Sequence, residues 1–381
     1  MDKTIWKVPL SDINYGKAEQ RAVQQVLEER WLTMGSLTEE FERQFAASLN
    51  ARHAVAVSSA TAGLHLACLA LGIHPGDEVI LPSLSFVATA SAPLYCGARV
   101  RFADILGPDE LTISPDSIEA VITPQTKAVI VMHYGGYTCR MEEIMAAAAE
   151  HNLAIIEDTA HAPGAILNGK YLGTWGDIGC FSFFSNKNLV TGEGGMLVTD
   201  RDDLAEQVRS LRSHAMTTRT WDRHHGHAYS YDVTGLGYNY RIDEIRSALG
   251  IAQLAKLAAD NAARAKITQK YWQAFETFPL TLPFRDLLSR ADFTGAYHLF
   301  PVLLPDGSDR QGFMEALRSA GIQTSIHYPP IHQFSYYRSL YPQISLPNTE
   351  EAAAREVTLP LFATMTHSQT ENVIRAVTEA V

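Results

Sequence analysis

Three short stretches carry residues whose types and positions suit one kind of chemistry. In "CFSFFSNKNLVTGEGGMLVTD" (180–200), Lys187 sits in a polar knuckle between two apolar runs. Apolar surroundings lower the pKa of an amine and make it a nucleophile toward an aldehyde. A lysine on a surface turn is the plainer reading of the same pattern. In "AIIEDTAH" (154–161), Asp158 ends an apolar strand, where a carboxylate is costly unless paired. It fits a helix cap or a salt bridge as well as it fits a charge partner for a ligand. In "VSSATAGL" (57–64), a strand ends at Ser58-Ser59 and a helix opens at Ala60-Thr61. Free N–H groups and a hydroxyl at a helix start suit a phosphate, although Ser and Thr also serve there as simple caps.

These residues need a scaffold that brings them together. "HAVAVSS" (53–59), "DEVILPS" (77–83), "RVRFADI" (99–105), "AVIVMHY" (128–134) and "LAIIEDT" (153–159) read as strands. Helical patterns fall between them, at 60–72, 86–97 and 140–152, and two amphipathic helices, 18–30 and 37–49, precede them. Strands alternating with helices predict an α/β fold, a mainly parallel sheet sandwiched by helices. Ligands bind such sheets at the carboxyl ends of the strands. After a helix at 201–214 comes one long helical pattern over 241–276. Strands at 297–305 and 323–329, with a helix at 310–321 between them, then predict a smaller α+β unit. The expected division is a large cofactor-binding domain over 1–245 and a small C-terminal domain over 246–381. The segment 215–239 is too long for an ordinary connection, which points to a functional role. A phosphate cradle, a carboxylate and a lysine on three strand ends of one sheet are together what pyridoxal 5'-phosphate requires.

Composition narrows the alternatives. With 31 basic against 42 acidic side chains, the net charge is −11, which argues against a nucleic-acid partner. Cys68, Cys96, Cys139 and Cys180 are widely spaced among apolar neighbours and read as reduced, buried thiols. The start lacks the apolar core of a signal peptide, and no apolar run reaches 18 residues. A cytoplasmic protein without a membrane partner is the expectation. "GAILNGKY" (164–171) approaches a P-loop, but Tyr171 stands where Ser or Thr is needed. "GEGGML" and "GLGYNY" lack the last glycine of a dinucleotide fingerprint. "HHGH" (224–227) has no supporting Cys or carboxylate spacing, so no metal is expected there.

Several longer stretches resemble a known family in order along the chain. They are "HAVAVSSATAGLHLACLALGIHPGDEVILPSLSFVATA", "IIEDTAHAPGA", "GDIGCFSFFSNKNLVTGEGGMLVTD", "GLGYNYRIDEIRSALGIAQLAKL" and "GIQTSIHYP". The chain looks like the DegT/DnrJ/EryC1/StrS sugar aminotransferases, among the fold type I (aspartate aminotransferase-like) pyridoxal phosphate enzymes. By that resemblance Lys187 matches the Schiff-base lysine and Asp158 the partner of the pyridinium nitrogen. Phe86 matches the aromatic that stacks on the cofactor ring, and His161 stands beside that ring where many members have Gln. Ala60, Thr61 and Ser182 match phosphate contacts. Asn239, in "GYNYR", matches a residue that reaches the phosphate from the other subunit, which implies a homodimer with shared active sites. Trp31 to Gly35, including Thr33, and His327-Tyr328 match regions that line the substrate site. Ala60 replaces a commoner Gly, and Ser185-Asn186 replace a usual Pro-Ser before the lysine.

The resemblance implies transfer of an amino group from an amino acid, glutamate above all, to a keto-sugar. The tail "SLPNTEEAAAREVTLPLFATMT" resembles the branch acting on nucleotide-linked 4-keto-sugars; 3-keto-sugars and cyclitol ketones are the other acceptors it allows. Two rival activities remain. Related sugar dehydratases replace the Schiff-base lysine, as a rule by histidine, whereas Lys187 is present. A non-catalytic cofactor-binding regulator would have no need of both Lys187 and Asp158.

Overall fold

The computed structural model describes residues 6–217 and 230–381. The "HHGH" stretch at 224–227 lies outside the described residues, as does the middle of the segment 215–239.

Seven strands form the central sheet: β1 (His53–Val57), β2 (Glu78–Pro82), β3 (Arg99–Ala103), β4 (Thr126–Met132), β5 (Ala154–Asp158), β6 (Ile178–Ser182) and β7 (Gly195–Thr199). Their order is β1-β7-β6-β5-β4-β2-β3. β6, β5, β4, β2 and β3 run parallel, and β7 lies antiparallel to both β1 and β6. The sheet is covered on both faces, so β2, β6 and β7 are buried at every residue rather than at alternate ones.

The two faces feed different cores. Along β4, Val129 and Val131 belong to one apolar cluster, and Ala128 and Ile130 to another. This is the period of two that a pleated strand imposes. Helices α1 (Lys17–Glu29) and α2 (Ser36–Ser48) precede the sheet, and α3 (Ala60–Ala70) and α4 (Ala88–Tyr95) follow β1 and β2. Leu64 and Leu66 of α3 and Ala90 and Ala92 of α4 pack into the Ala128–Ile130 cluster. The Val129–Val131 cluster continues through Trp272, Phe275, Phe300 and Leu359, so much of the C-terminal third packs on that face, while Ile331, Tyr337 and Leu346 join the other cluster.

Two sequence expectations change here. The helical pattern over 241–276 is two helices, α7 (Glu244–Leu254) and α8 (Leu257–Phe275), which follow α5 (Met141–His151) and α6 (Asp202–Leu211) in chain order. Apolar periodicity continues through the break at 255–256, and so it does not reveal it. The strand expected over 323–329 is a single bridge, Ser325 to Thr358. Pro329 and Pro330, lacking N–H groups, end any further pairing. Beyond α8, β8 (Phe300–Leu303) pairs antiparallel with β9 (Glu356–Leu359), accompanied by α9 (Arg310–Ser319) and α10 (His367–Ala380).

Candidate active site

The sheet topology places three chain segments at one edge. β5 and β6 are parallel, with Cys180 opposite Asp158, so both end on the same side. β7 runs back antiparallel, so its first residue, Gly195, lies between the ends of β6 and β1 and pairs with Ser182 and Val57. A Cβ on Gly195 would stand 2.6 Å from the Ala60 nitrogen, so only glycine allows this approach to the start of α3. The strand ends open onto a cavity of about 380 Å³.

Lys187 belongs to the connection from β6 to β7 and lines this cavity. Its backbone N–H donates to Phe184 O at 2.9 Å. The next residue fixes the turn: Asn188 Nδ2 donates to Asn261 Oδ1 at 2.9 Å and to Ala296 O at 2.7 Å. Asn188 Oδ1 accepts from His298 Nδ1 at 3.0 Å. The Lys187 amine has no hydrogen bond or ion pair among the described residues. Burial pulls its pKa from 10.5 down to about 8, against the opposing attraction of Asp158.

Asp158 ends β5, buried on the cavity wall. The Thr89 hydroxyl donates to Oδ2 at 2.9 Å, and the Ala160 N–H donates to Oδ1 at 3.2 Å. Burial raises its pKa, and these two bonds and the charge of Lys187 oppose that rise. Such a carboxylate gains from a cationic ligand group that replaces the lost hydration.

His161 is buried, and burial holds its pKa well below the usual histidine range. Its Nδ1 accepts the Gly135 N–H at 3.3 Å, so the neutral ring carries its proton on Nε2, 3.0 Å from the Tyr328 hydroxyl. Tyr328 therefore accepts from His161 and keeps its own proton for the cavity. Phe86, 55% exposed, lies with its ring 6.1 Å from that of Tyr328. His327 completes this wall.

At the other end stands the start of α3. Ser59 caps the helix by accepting the Ala62 N–H at 3.1 Å. The N–H groups of Ala60 and Thr61 have no partner among the described residues, and both residues line the cavity. Ser182 Oγ accepts the Phe184 N–H at 3.4 Å and retains its own proton to donate. Asn186, also in the lining, has a buried Oδ1 with no partner among the described residues, an acceptor left for a ligand's donor. The cavity lining thus combines anion-binding N–H groups, a carboxylate and an amine. This set fits pyridoxal phosphate.

Trp31, Thr33 and Asn239 do not line this cavity. Thr33 bridges to Asp243 and Asn239 to Ser213. Glu244 holds these two segments together. Buried at 2% exposure, it accepts the N–H groups of Gly35, Leu37 and Thr38 and the Thr38 hydroxyl at 2.6–2.9 Å, which also caps α2. Asn239 is exposed, and its side chain has no hydrogen bond among the described residues. Thr89, Asn188 and Glu244 are not marked by the sequence, and Asn186 is marked there only as a departure beside the lysine, not as a ligand contact. Thr89 stands in the same "SFVAT" run as Phe86 and Asn188 follows Lys187 directly, so position near a marked residue was the signal available for those two.

The chain matches the DegT/DnrJ/EryC1/StrS aminotransferase family over residues 14–378. Among solved structures, it is similar to an aminotransferase, TlmJ, from Streptoalloteichus hindustanus, with 35% identity, 98% of each chain covered and a TM-score of 0.90. DesV of S. venezuelae, crystallised in complex with a ketimine intermediate, is 33% identical over 95% of this chain and 93% of that one, with a TM-score of 0.87. Helicobacter pylori PseC, an aminotransferase involved in the biosynthesis of pseudoaminic acid, is 28% identical over 98% of each chain, with a TM-score of 0.91. The chain belongs to the DegT/DnrJ/EryC1/StrS aminotransferase family, and with it to the pyridoxal phosphate-dependent sugar aminotransferases.

Proposed function

We propose that the chain transfers the amino group of glutamate to a nucleotide-linked keto-sugar, at C4 or C3, using pyridoxal phosphate held in the cavity described above. The observation that carries this reading is the placement of a desolvated Lys187 amine and a buried Asp158 carboxylate in the lining of one cavity.

When bound, pyridoxal phosphate supplies the electron sink that carries the amino group between the two substrates. Asp158, braced by Thr89 and Ala160, would hold a proton on the cofactor's ring nitrogen. Ala60 and Thr61, with Ser182, hold phosphate through N–H and O–H donors. Phe86 supplies an aromatic face, and His161 fixes Tyr328 as a donor beside it. Lys187 Nζ, its pKa lowered to about 8 by burial, would take a proton from the donor's α-carbon in the first half-reaction and would deliver a proton to the amino sugar's carbon in the second.

The functional unit in this reading is a homodimer in which Asn239 reaches the partner's phosphate site and Trp31 and Thr33 face the partner's sugar site. Leu236, 82% exposed, and Tyr231 and Val233, 57% and 54% exposed, give the same region an apolar surface to bury. Lys187 and Asp158 come from the cofactor-binding portion (1–245) and His327-Tyr328 from the smaller portion (246–381), which supports a cavity between two domains. The cysteines, none of them in a disulfide, support a reducing, cytoplasmic setting.

The experiment is to incubate the protein with glutamate and pyridoxal phosphate, measure 2-oxoglutarate, then add a panel of nucleotide-linked keto-sugars and identify the aminated product. Formation of 2-oxoglutarate with no amine appearing on any keto-sugar or cyclitol ketone would overturn the acceptor assignment. Absence of the corresponding 2-oxo acid with every amino acid tried would overturn transamination.

A further inference from the structure

Glu356 is the first residue of β9 and is 2% exposed. Its two oxygens have separate partners. Oε2 accepts the backbone N–H of His327 at 2.8 Å, and Oε1 lies 2.5 Å from the Thr358 hydroxyl. Thr358 Oγ1 is in turn 2.8 Å from His327 Nδ1. His327 lines the substrate cavity, and with Nδ1 engaged, Nε2 is the polar ring atom it offers there.

A hydroxyl has one proton to donate, so the chain Glu356–Thr358–His327 has two self-consistent states. With Glu356 protonated, Oε1–H donates to Thr358, Thr358 donates to Nδ1, and the neutral imidazole carries its proton on Nε2. With Glu356 ionised, Thr358 donates to Oε1, Nδ1–H donates to Thr358, and Nε2 presents a lone pair. Passing from the first state to the second releases one proton at Nε2 while the two others each move one place toward the ring.

We propose that Glu356, acting through Thr358, sets the tautomer of His327, so that one side chain serves as donor to the carboxylate of the amino-acid substrate and as acceptor from a hydroxyl of the sugar. The inference rests on the transamination reading above, because only such an enzyme receives both substrates in one cavity in turn. A carboxylate accepts hydrogen bonds and cannot donate one, so it requires Nε2–H. A sugar hydroxyl is served by either state.

The charges around the chain favour the donor state near neutrality. Burial pushes Glu356 up to about 8, against the Thr358 and His327 bonds and the charge of Arg310 on α9. Burial, aided by Lys187, brings His327 down to about 4 and keeps the ring neutral. Arg310 spends its guanidinium on backbone carbonyls of Ala353 and Glu356 rather than on the carboxylate. Tyr134 donates to the His327 carbonyl, and Tyr134 and Tyr328 face Glu356 as neutral phenols. His161 and His298, on the cavity side, are held neutral by burial.

The test reads the tautomer directly. Apoprotein carrying 15N-labelled histidine is followed by NMR from pH 6.5 to 9.5, with His327→Gln identifying the signal. The wild type is expected to pass from Nε2–H to Nδ1–H with a midpoint of about 8. Glu356→Gln, whose amide donates to Thr358 as the neutral acid does, keeps Nε2–H throughout. Thr358→Val abolishes the pH response, and Thr358→Ser restores it. A single tautomer across the range in the wild type, or an unchanged titration in Glu356→Gln, overturns the relay. In turnover, kcat/KM for the amino acid falls about tenfold between pH 7 and 9, following the protonated fraction of a group with a pKa near 8, more steeply than that for the sugar. Glu356→Gln flattens the difference; an equal fall in both half-reactions overturns the substrate roles. A titrating tautomer in a protein without transaminase activity fails the proposed function and leaves the relay standing. Transamination without a titrating tautomer fails the relay alone.

Discussion

Thr89 donates its hydroxyl to Asp158 Oδ2 at 2.9 Å, and Ser85 Oγ lies 2.7 Å from the same hydroxyl oxygen. Since Thr89 gives its proton to the carboxylate, Ser85 must donate to Thr89. A buried chain, Ser85 to Thr89 to Asp158, therefore stabilises the ionised acid. The second oxygen is held by Ala160. The carboxylate is fixed in direction before any cation reaches it.

Asp158→Asn is expected to separate stability from activity. The folded-state pKa of Asp158 is raised above 3.8, so the ionised acid costs stability above its folded pKa, and the cost vanishes in acid. The apo variant should resist urea better than the wild type at pH 7, with the advantage fading as the pH falls toward 4. Turnover should drop by roughly 100-fold or more, because a neutral amide cannot hold a ring cation. An activity loss under about tenfold, ~1.4 kcal/mol, would remove Asp158 from its assigned role.

Lys187 gives a second signature in the absence of cofactor. Its pKa is about 8 in the folded chain against 10.5 in the reference state. The buried cation costs stability fully below pH 8, and the cost is relieved as pH rises from 8 to 10.5. Lys187→Met should therefore stabilise the apoprotein at pH 7 by at most about 3 kcal/mol, and by much less at pH 10. Paired denaturation curves at the two pH values check this. The same variant should abolish amino transfer and the borohydride-stable attachment of pyridoxal phosphate to the 187 peptide. Retention of either would remove Lys187 from the mechanism.

The parts of the site legible in the sequence are those whose meaning is local. Lys187 interrupts two apolar strands, Asp158 ends one, and Ala60-Thr61 open a helix directly after another; each pattern lies within a few residues. Glu244 and Glu356 have no such signature. Glu244 reads as an ordinary acidic residue in the first turn of α7, yet its partners lie 206 to 209 positions away. Glu356 meets His327 across 29 residues and one isolated bridge, where alternation suggested a full strand. Buried polar groups are specified by tertiary neighbours, and periodicity records only which face is apolar. The break between α7 and α8 was hidden for the same reason.

Glu244 is expected to be worth more than its exposed-looking sequence context suggests. Glu244→Ala leaves three backbone N–H groups and the Thr38 hydroxyl without their acceptor, two of those N–H groups in the first turn of α2. A loss of about 2–4 kcal/mol is expected in denaturant unfolding. Because Glu244 ties Gly35, Leu37 and Thr38, just after Trp31 and Thr33, to the start of α7, KM for the sugar should rise as well. Glu244→Gln, which can keep the acceptor oxygen but adds donors facing donors, should fall between the two. A change below about 0.5 kcal/mol for Glu244→Ala would show that the clamp is dispensable.

The strongest test of the shared site uses two lesions in different chains. Asn239 is exposed, makes no side-chain hydrogen bond among the described residues, and stands beside an apolar surface that includes Leu236. Lys187 lies in a cavity that Asn239 does not line. If the partner's Asn239 completes that cavity, every site in a Lys187→Ala dimer lacks the amine, and every site in an Asn239→Asp dimer places a carboxylate against the phosphate. Like charge at that position costs phosphate binding directly. In a mixed dimer, one site receives both lesions and the other receives neither. Random exchange of equal amounts makes half the dimers mixed, each with one intact site of two, so roughly a quarter of wild-type activity should return. Two differently tagged chains, co-purified to prove exchange, provide the control. Exchange without recovery, or an active monomer in sedimentation, would place Asn239 outside the neighbouring site.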